Sequence, residues 1–205
     1  MPYARRVRWE RFFEDLEDQL AAEWEAERAA LESEAERLRL ARVELRARLV
    51  ALAHGAEAPV TLELSDGECA EARVTAVGAD WLAAAEADGR RLLIVPLRAI
   101  ACAHAAHGDL LRSARPIEER DRLAERVTLA LALRDLARRR VGVAIGTDAR
   151  ILTGTIDRVG ADHLDLALHE PGAPRRAAEV RGYRMLPLAA VAWVRIDAAA
   201  GVPAV

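Results

Sequence analysis

The sequence predicts an α+β protein in which a long N-terminal α-helix precedes two five-stranded units of one type, with a helix between them. Two observations predict this class. About 45 residues near the start of the chain, from about Trp9 to Ala53, have a helix-forming composition and contain no Gly or Pro. The apolar residues then change from a helical spacing to a period of two, and this second pattern occurs twice.

The first helix is predicted from about Trp9 to Ala53, because Ala, Leu, Glu and Arg dominate this stretch. Its length, on the order of 65 Å, is too great for one small sheet to cover. Apolar residues at seven-residue intervals therefore predict a coiled coil, and a homodimer, through this helix. Folding back onto the strands is the alternative. The predicted oligomer seam consists of Trp24, Leu31, Leu38, Leu45 and Leu52.

The first strand unit begins after Pro59, where apolar and polar residues alternate. Asp66-Gly67 lies between two alternating runs, which is a strong β-hairpin signal. Further turns are expected at Val77–Asp80 and at Asp88-Gly89. The five strands are expected within Val60–Leu64, Ala70–Ala76, Trp81–Glu86, Leu92–Pro96 and Leu97–Ala103.

The same pattern occurs again after the second helix. Val159–Asp162 repeats Val77–Asp80 residue for residue, and Met185–Val191 follows the pattern of Ile94–Ile100. Several matches in one order indicate an internal repeat. The intervening helix is predicted from about Pro116 to Arg139, with an apolar stripe that includes Val127. The predicted organisation is a helix at 1–54, a strand unit at 55–110, a connecting helix at 113–140, a second unit at 141–197 and a flexible tail at 198–205.

Each strand unit resembles the Sm-like small barrel, through its alternating strands, its Asp-Gly-type turn and its tight last turn. This resemblance implies two tandem Sm-like five-stranded small β-barrels. The family's RNA sites use an Asn and an Arg-Gly pair, whereas this chain has no Asn and places Pro96-Leu97 and Pro187-Leu188 at the tight turns. The RNA activity is therefore not carried over with the fold. The whole architecture also resembles a set of uncharacterised actinobacterial proteins, some of which are labelled Fis-type regulators.

The composition limits the classes of partner and of compartment. The net charge is −3, so no general basic field attracts a polyanion. Two cysteines and no signal sequence predict a cytoplasmic protein with free thiols. No apolar run approaches the roughly 18 residues that a membrane-spanning helix needs, so no integral membrane segment is expected.

The motifs of common enzymes and metal sites are weak in this sequence. We find no P-loop, dinucleotide fingerprint or nucleophile elbow, and we expect no catalytic residue and no cofactor. Asp80 and Asp162 are explained as turn residues that bond to their own backbone. Cys102, His104 and His107 have a metal-ligand spacing, but a position at the rim of the strand unit is favoured over a metal site.

The predicted function is a non-enzymatic adaptor or scaffold that binds another protein, of a kind the sequence does not name. The alternative is a regulator that binds RNA or DNA through arginines around the second strand unit, because Arg binds phosphate in a bidentate manner. Tyr183 is the nearest residue that offers a surface for base stacking. The arginines of this alternative are Arg138, Arg139, Arg140, Arg175, Arg176, Arg181 and Arg184.

Overall fold

The computed structural model describes residues 20, 23–25, 27–115, 123–172, 176 and 178–203. The chain divides into two compact units, Met1–Val43 and Glu44–Val205. In the first unit, residues 27–41 form helix α1, and its side chains are largely exposed. Residues 1–19, which include the predicted start of the first helix, lie outside the described residues.

The second unit contains helices α2 (Leu45–Gly55), α3 (His107–Ser113) and α4 (Leu129–Arg138). The ten strands of its described residues fall into two halves that correspond to the two predicted strand units. They lie close to the predicted positions, except that Leu97–Ala99, predicted as the start of the fifth strand, forms a 3₁₀-helix. The strands of the first half are β1 (Val60–Leu64), β2 (Cys69–Val77), β3 (Trp81–Glu86), β4 (Arg91–Pro96) and β5 (Ile100–His104). Those of the second half are β6 (Gly142–Gly146), β7 (Ile151–Val159), β8 (His163–Leu168), β9 (Gly182–Pro187) and β10 (Trp193–Asp197).

All ten strands belong to one antiparallel sheet, in the order β5-β1-β2-β3-β4-β10-β6-β7-β8-β9. The predicted α+β class is confirmed. No barrel closes among the described strands, because β4 pairs with β10 of the second half and not with β5 of its own half. The strand order leaves β5 and β9 at the two ends of the sheet.

The two halves bend their strands in the same way. The second strand of each half, β2 or β7, is nine residues long, and the pairing register shifts at Val74/Ala76 and at Ile156/Arg158. Such irregularities increase the local bend and twist of a strand. The close approach of β8 to β7 requires Gly154, because a Cβ atom at this position would lie 2.0 Å from the Ala167 carbonyl oxygen.

Two hydrophobic cores lie on the sheet, one under each of the long helices of this unit. Leu49 and Leu52 of α2 pack into the core of the first half. In the second half, the apolar residues of α4 lie on one face of the helix, and this face is buried in the core. The buried residues include Ala132, Leu133 and Leu136. In the described residues, each half therefore has five strands and one helix that buries its apolar side chains on them.

The first helix is not continuous as predicted. Residues 42–44 interrupt it, and Glu44 has an extended backbone with φ −72° and ψ 152°. Leu52 is buried in the core of its own chain, so its predicted place in the oligomer seam is wrong. Helix propensity alone favours one helix here, and the packing of α2 on the sheet overrides it.

The second helix begins later than predicted. Residues 116–122, which include Pro116, lie outside the described residues, and Ala124–Arg126 forms a short 3₁₀-helix. The α-helix begins at Leu129, where Thr128 is the N-cap and its Oγ1 accepts a hydrogen bond from Leu131 N at 3.4 Å. Threonine is a preferred N-cap residue, so the sequence did contain this signal. Val127 is buried but precedes the helix, and its prediction as part of the helical stripe is wrong.

Candidate functional site

The repeat includes the helices, which were predicted as separate elements: α2 and α4 each contact the turn of their own half through an arginine, from positions along the helix that are not equivalent. Arg46 of α2 donates through Nε to the Gly78 carbonyl at 2.7 Å. Arg134 of α4 donates through Nη2 to the carbonyl of Gly160, the glycine that matches Gly78, at 3.0 Å. The sequence contains a matching signal, because Val43-x-Leu45 before Leu49 and Leu52 has the same spacing as Val127-x-Leu129 before Leu133 and Leu136.

The two halves meet where β4 pairs with β10, which we call the junction. Ile94 lies opposite Val194, Leu93 opposite Arg195 and Leu92 opposite Ile196. Leu92 and Ile94 belong to the core of the second half, although they are on a strand of the first half. Conversely, Ala192 and Trp193 belong to the core of the first half, although they lie in the second half of the chain. The junction therefore completes both cores.

Polar contacts of Arg195 and Trp193 reinforce the junction. Arg195 donates to Glu86 Oε1 at 2.5 Å and to Glu68 Oε1 at 2.7 Å, and both glutamates lie on the first half. Its guanidinium also lies 4.4 Å from the centre of the Trp193 ring, in a cation–π arrangement. Burial lowers the pKa of Arg195, but the bonds to Glu68 and Glu86 outweigh this effect, and the pKa is raised overall. The Trp193 indole donates to Asp66 Oδ2 at 2.7 Å.

The turn Val77–Asp80 forms hydrogen bonds with the N-terminus of α4 and with the residue before it. Asp80 Oδ1 accepts a hydrogen bond from Leu129 N at 2.6 Å, so this carboxylate satisfies a backbone donor of the first helical turn. Trp81 Nε1 and Ala79 N both donate to the Val127 carbonyl, at 2.9 and 2.8 Å. The interpretation of Asp80 as a residue that bonds only within its turn is wrong, since its partner lies on the helix of the other half.

In the matching turn of the second half, Val159–Asp162, no helix N-terminus of the described part of the chain bonds to the Asp162 carboxylate. The Asp162 side chain is 90% exposed, and its Oδ1 lies 2.8 Å from Nδ1 of His163. The hydrogen bond with His163 lowers the pKa of Asp162 below its usual value. His163 stands where the first half has the fully buried Trp81.

The two end strands of the sheet, β5 and β9, are the edge strands. The register of β9 on β8 matches that of β4 on β3, so Tyr183 occupies the position of Leu92 and Met185 that of Ile94. Leu92 and Ile94 are buried by the other half of the chain. Tyr183 and Met185 are 60% and 73% exposed. The second half thus exposes, on an edge strand, the positions that the first half covers.

The predicted arginine surface is largely neutralised by acidic neighbours. Arg138 and Arg139 contact the Asp135 carboxylate at 2.6 and 2.9 Å, and Arg140 contacts that of Asp157 at 3.2 Å. Arg181 forms an ion pair with Glu170, and Arg184 donates to the Tyr183 carbonyl at 2.9 Å. Arg176 is exposed, and Arg175 lies outside the described residues. A phosphate would have to compete with these carboxylates.

The structure also separates residues that were predicted to lie together, both in the oligomer seam and in the Cys102, His104 and His107 group. Trp24, Leu31 and Leu38 are exposed in the first unit, whereas Leu45 is exposed on α2. The structure groups Cys102 and His104 with Glu63 on the neighbouring strand, with ligand atoms within 4.8 Å of one another. His107 begins α3 and is not part of this group. A hydrogen bond of 2.7 Å between His104 and Glu63 accounts for the arrangement.

An open cleft of about 760 Å³ extends along the junction. Its lining includes Arg90, Arg91 and the buried His169. His169 Nε2 lies 2.8 Å from Thr155 Oγ1, and Nδ1 lies 2.9 Å from the Glu170 carbonyl. Both ring nitrogens are therefore used within the fold.

No protein-family model, curated protein or solved structure matches this chain. None of the helices in the described part of the chain has the length and apolarity of a bilayer-spanning helix.

Proposed function

We propose that this chain is a non-enzymatic scaffold that binds proteins through the edge strands of its sheet, and that its two halves are tandem Sm-like units. The single observation that carries the proposal is the exposure of Tyr183 and Met185 on β9, at positions equivalent to the buried Leu92 and Ile94. An edge strand with exposed apolar side chains can accept another strand, because its free backbone groups and its side chains both contribute to pairing.

The buried polar groups support a structural role over catalysis. Asp109 pairs with Arg112, and Ser113 bonds to Arg48 and to the Leu110 carbonyl. Together with the contacts of His169, these bonds hold helices and loops on the sheet. A catalytic site needs a nucleophile or an acid–base pair that is open to a substrate, and these groups are committed to neighbours within the fold.

The first test places a photoreactive amino acid at Met185 in the full-length chain. We expect covalent protein adducts after irradiation in cells of the native host, because a partner strand would lie against this position. Ile151 is the matched control, since it is an exposed apolar residue of β7 and lies away from the edge strands. Equal labelling from Met185 and Ile151, or no protein adduct at Met185, would contradict binding at the β9 edge.

The same experiment at Tyr183 separates the protein scaffold from the nucleic-acid regulator. Adducts with RNA or DNA that form at low salt and disappear at about 0.5 M salt would favour the regulator, because phosphate contacts release counterions. The ion pairs of Arg138, Arg139 and Arg140 with acidic residues favour the scaffold.

We also propose that α1 pairs with a second copy of itself. Trp24, Leu31 and Leu38 are exposed and recur at the seven-residue interval of a coiled coil. Replacing both Leu31 and Leu38 by Glu should halve the mass of any complex held by this helix, because it places charges along the apolar seam. Light scattering measures the mass, and replacing Glu27 and Glu34 by Gln is the control. An unchanged mass would exclude pairing through α1.

A further inference from the structure

We propose that Glu63, Cys102 and His104 bind a divalent transition-metal ion of the Zn²⁺ type on the exposed face of the first half. The three residues lie on β1 and β5. Their ligand atoms are a carboxylate oxygen, a thiol sulfur and an imidazole nitrogen, and all lie within 4.8 Å of one another. The site is independent of the proposed edge-strand binding, because it uses side chains on a face of the sheet and not the backbone groups of its edge.

The antiparallel register brings the three side chains together. Glu63 lies directly opposite Cys102, and Thr61 lies directly opposite His104. Opposite residues of paired strands project from the same face of a sheet, and so do residues two apart on one strand. Leu62, the neighbour of Glu63, is buried in the core. The group therefore projects from the other face, towards solvent.

The distances within the group suit a tetrahedral ion. Bonds of about 2.0–2.3 Å to nitrogen, oxygen and sulfur place the ligand atoms about 3.3–3.8 Å apart. His104 Nε2 and Glu63 Oε1 are already 2.7 Å apart, in a hydrogen bond. Since no two ligand atoms of the group are more than 4.8 Å apart, movements of about 1 Å would give these distances. Cys102 and His104 are exposed, so rotation of their side chains disturbs no buried packing.

The donor set matches the chemistry of Zn²⁺. Thiolate, imidazole and carboxylate are the side-chain ligands that this ion uses in proteins. The thiolate disfavours Mg²⁺ and Ca²⁺, which take oxygen ligands. One thiolate and one carboxylate balance the two positive charges of the ion when the His104 imidazole is neutral. Three protein ligands leave the fourth position of the tetrahedron to water, which reaches this exposed face.

Cys102 is available as a ligand because it lies too far from the other cysteine of the chain for a disulfide. Cys69 lies opposite Glu63 on β2, and Cys102 lies opposite Glu63 on β5. Two strand spacings, about 10 Å, therefore separate the cysteines, whereas the Cα atoms of a disulfide are less than about 7 Å apart. Both are free thiols. The sulfur of Cys69 is outside the group of ligand atoms.

The second half shows that the fold does not require these residues. The register shifts in β2 and β7 align the two halves, and the strand pairings then identify the equivalent positions. The positions of Glu63, Cys102 and His104 are occupied there by Gly146, Trp193 and Arg195. Trp193 and Arg195 contact the first half at the junction. In the first half the same positions face solvent, so the three ligand residues have no equivalent structural role.

The test is a titration of the metal-free, tag-free, full-length protein with Co²⁺, a spectroscopic probe for Zn²⁺ sites. We expect one Co²⁺ ion per chain, with the ligand-field absorption of tetrahedral coordination and a thiolate-to-metal charge-transfer band. An equimolar amount of Zn²⁺ should remove both signals, whereas Mg²⁺ in about hundredfold excess should not, because it avoids thiolate ligands. Absence of the charge-transfer band at saturating Co²⁺ would overturn the proposal.

Two matched cysteine variants assign the signal to the site. Cys102→Ser should abolish the charge-transfer band and weaken Zn²⁺ binding by at least about tenfold, since even the loss of an outer contact of a metal site has an effect of this size. Cys69→Ser removes the other exposed thiol and should leave both the band and the affinity unchanged. A band that persists in Cys102→Ser, or that is lost equally in the two variants, would contradict the assignment.

The other two ligands distinguish a built site from a single reactive thiol. His104→Ala and Glu63→Gln should each weaken Co²⁺ binding by at least about tenfold, while the urea midpoint of the metal-free protein stays the same. Unfolding in urea should also abolish the tetrahedral spectrum, because only the fold brings Glu63 to β5. An unchanged affinity in Glu63→Gln would exclude the three-ligand site, since Cys102 and His104 would then bind the ion without β1.

Discussion

Replacing Trp81 by Ala should lower the free energy of unfolding by about 3–5 kcal/mol. Trp81 is fully buried, and although it lies on β3 of the first half, it packs in the core of the second half. Its indole also bonds to the Val127 carbonyl at 2.9 Å, next to the start of α4. The substitution therefore leaves a large cavity in the core of the second half. Urea unfolding followed by far-ultraviolet circular dichroism measures the change.

Trp81→Phe is the matched control. It retains an aromatic ring in the core but removes the indole donor, and the Val127 carbonyl keeps its bond from Ala79 N at 2.8 Å. We expect a loss of about 1–2 kcal/mol, from one hydrogen bond and a smaller buried surface. A loss below about 1 kcal/mol for Trp81→Ala, far under the usual range for a buried Trp, would mean that this residue does not hold the two halves together.

Replacing Gly154 by Ala should cost about 3 kcal/mol of stability. A Cβ at this position would lie 2.0 Å from the Ala167 carbonyl oxygen and 2.9 Å from its carbonyl carbon. These are backbone atoms of the paired strand β8, so no rotation of a side chain can relieve the contact. The strands β7 and β8 must separate locally, and their hydrogen bonds must lengthen. The midpoint of urea unfolding reports the loss.

Gly142→Ala provides the control on the neighbouring strand β6. Nothing lies within 4 Å of a Cβ at Gly142, and its backbone is not in the left-handed region. We expect a change within about 1 kcal/mol, in the stabilising direction, because alanine restricts the unfolded chain more than glycine does. Equal losses for the two variants would show that the cost at Gly154 is not the contact with Ala167.

Local patterns predicted the elements of the sheet well. The alternation of Val60, Leu62 and Leu64 and the turn at Asp66-Gly67 are properties of a few consecutive residues. Gly67 has a φ of 85°, a conformation that glycine adopts readily and that predicts the turn. Strands and turns of this kind depend on short-range rules, so they can be located from the sequence within a few residues.

The candidate site was harder to predict, because its contacts join residues that are far apart in the chain. The role of Asp80 depends on the N-terminus of α4, and that of Arg195 depends on Glu68 and Glu86. The sequence shows the first residue as a turn Asp and the second as a charged residue within a strand. The sequence contains one further signal. The spacing of Val43, Leu45, Leu49 and Leu52 is the same as that of Val127, Leu129, Leu133 and Leu136. It was hidden because α2 follows α1 without a Gly or Pro between them.

The sequence by itself determined the α+β class, the order of the strands along the chain and the internal repeat, since these depend on periodicity, turn residues and local similarity. Only the tertiary structure decided that β4 pairs with β10, that α2 and α4 belong to the repeated unit, and that Tyr183 and Met185 are left exposed. The physical reason is that alternating apolar residues specify which face of a strand is buried, but they do not specify which strand becomes its neighbour.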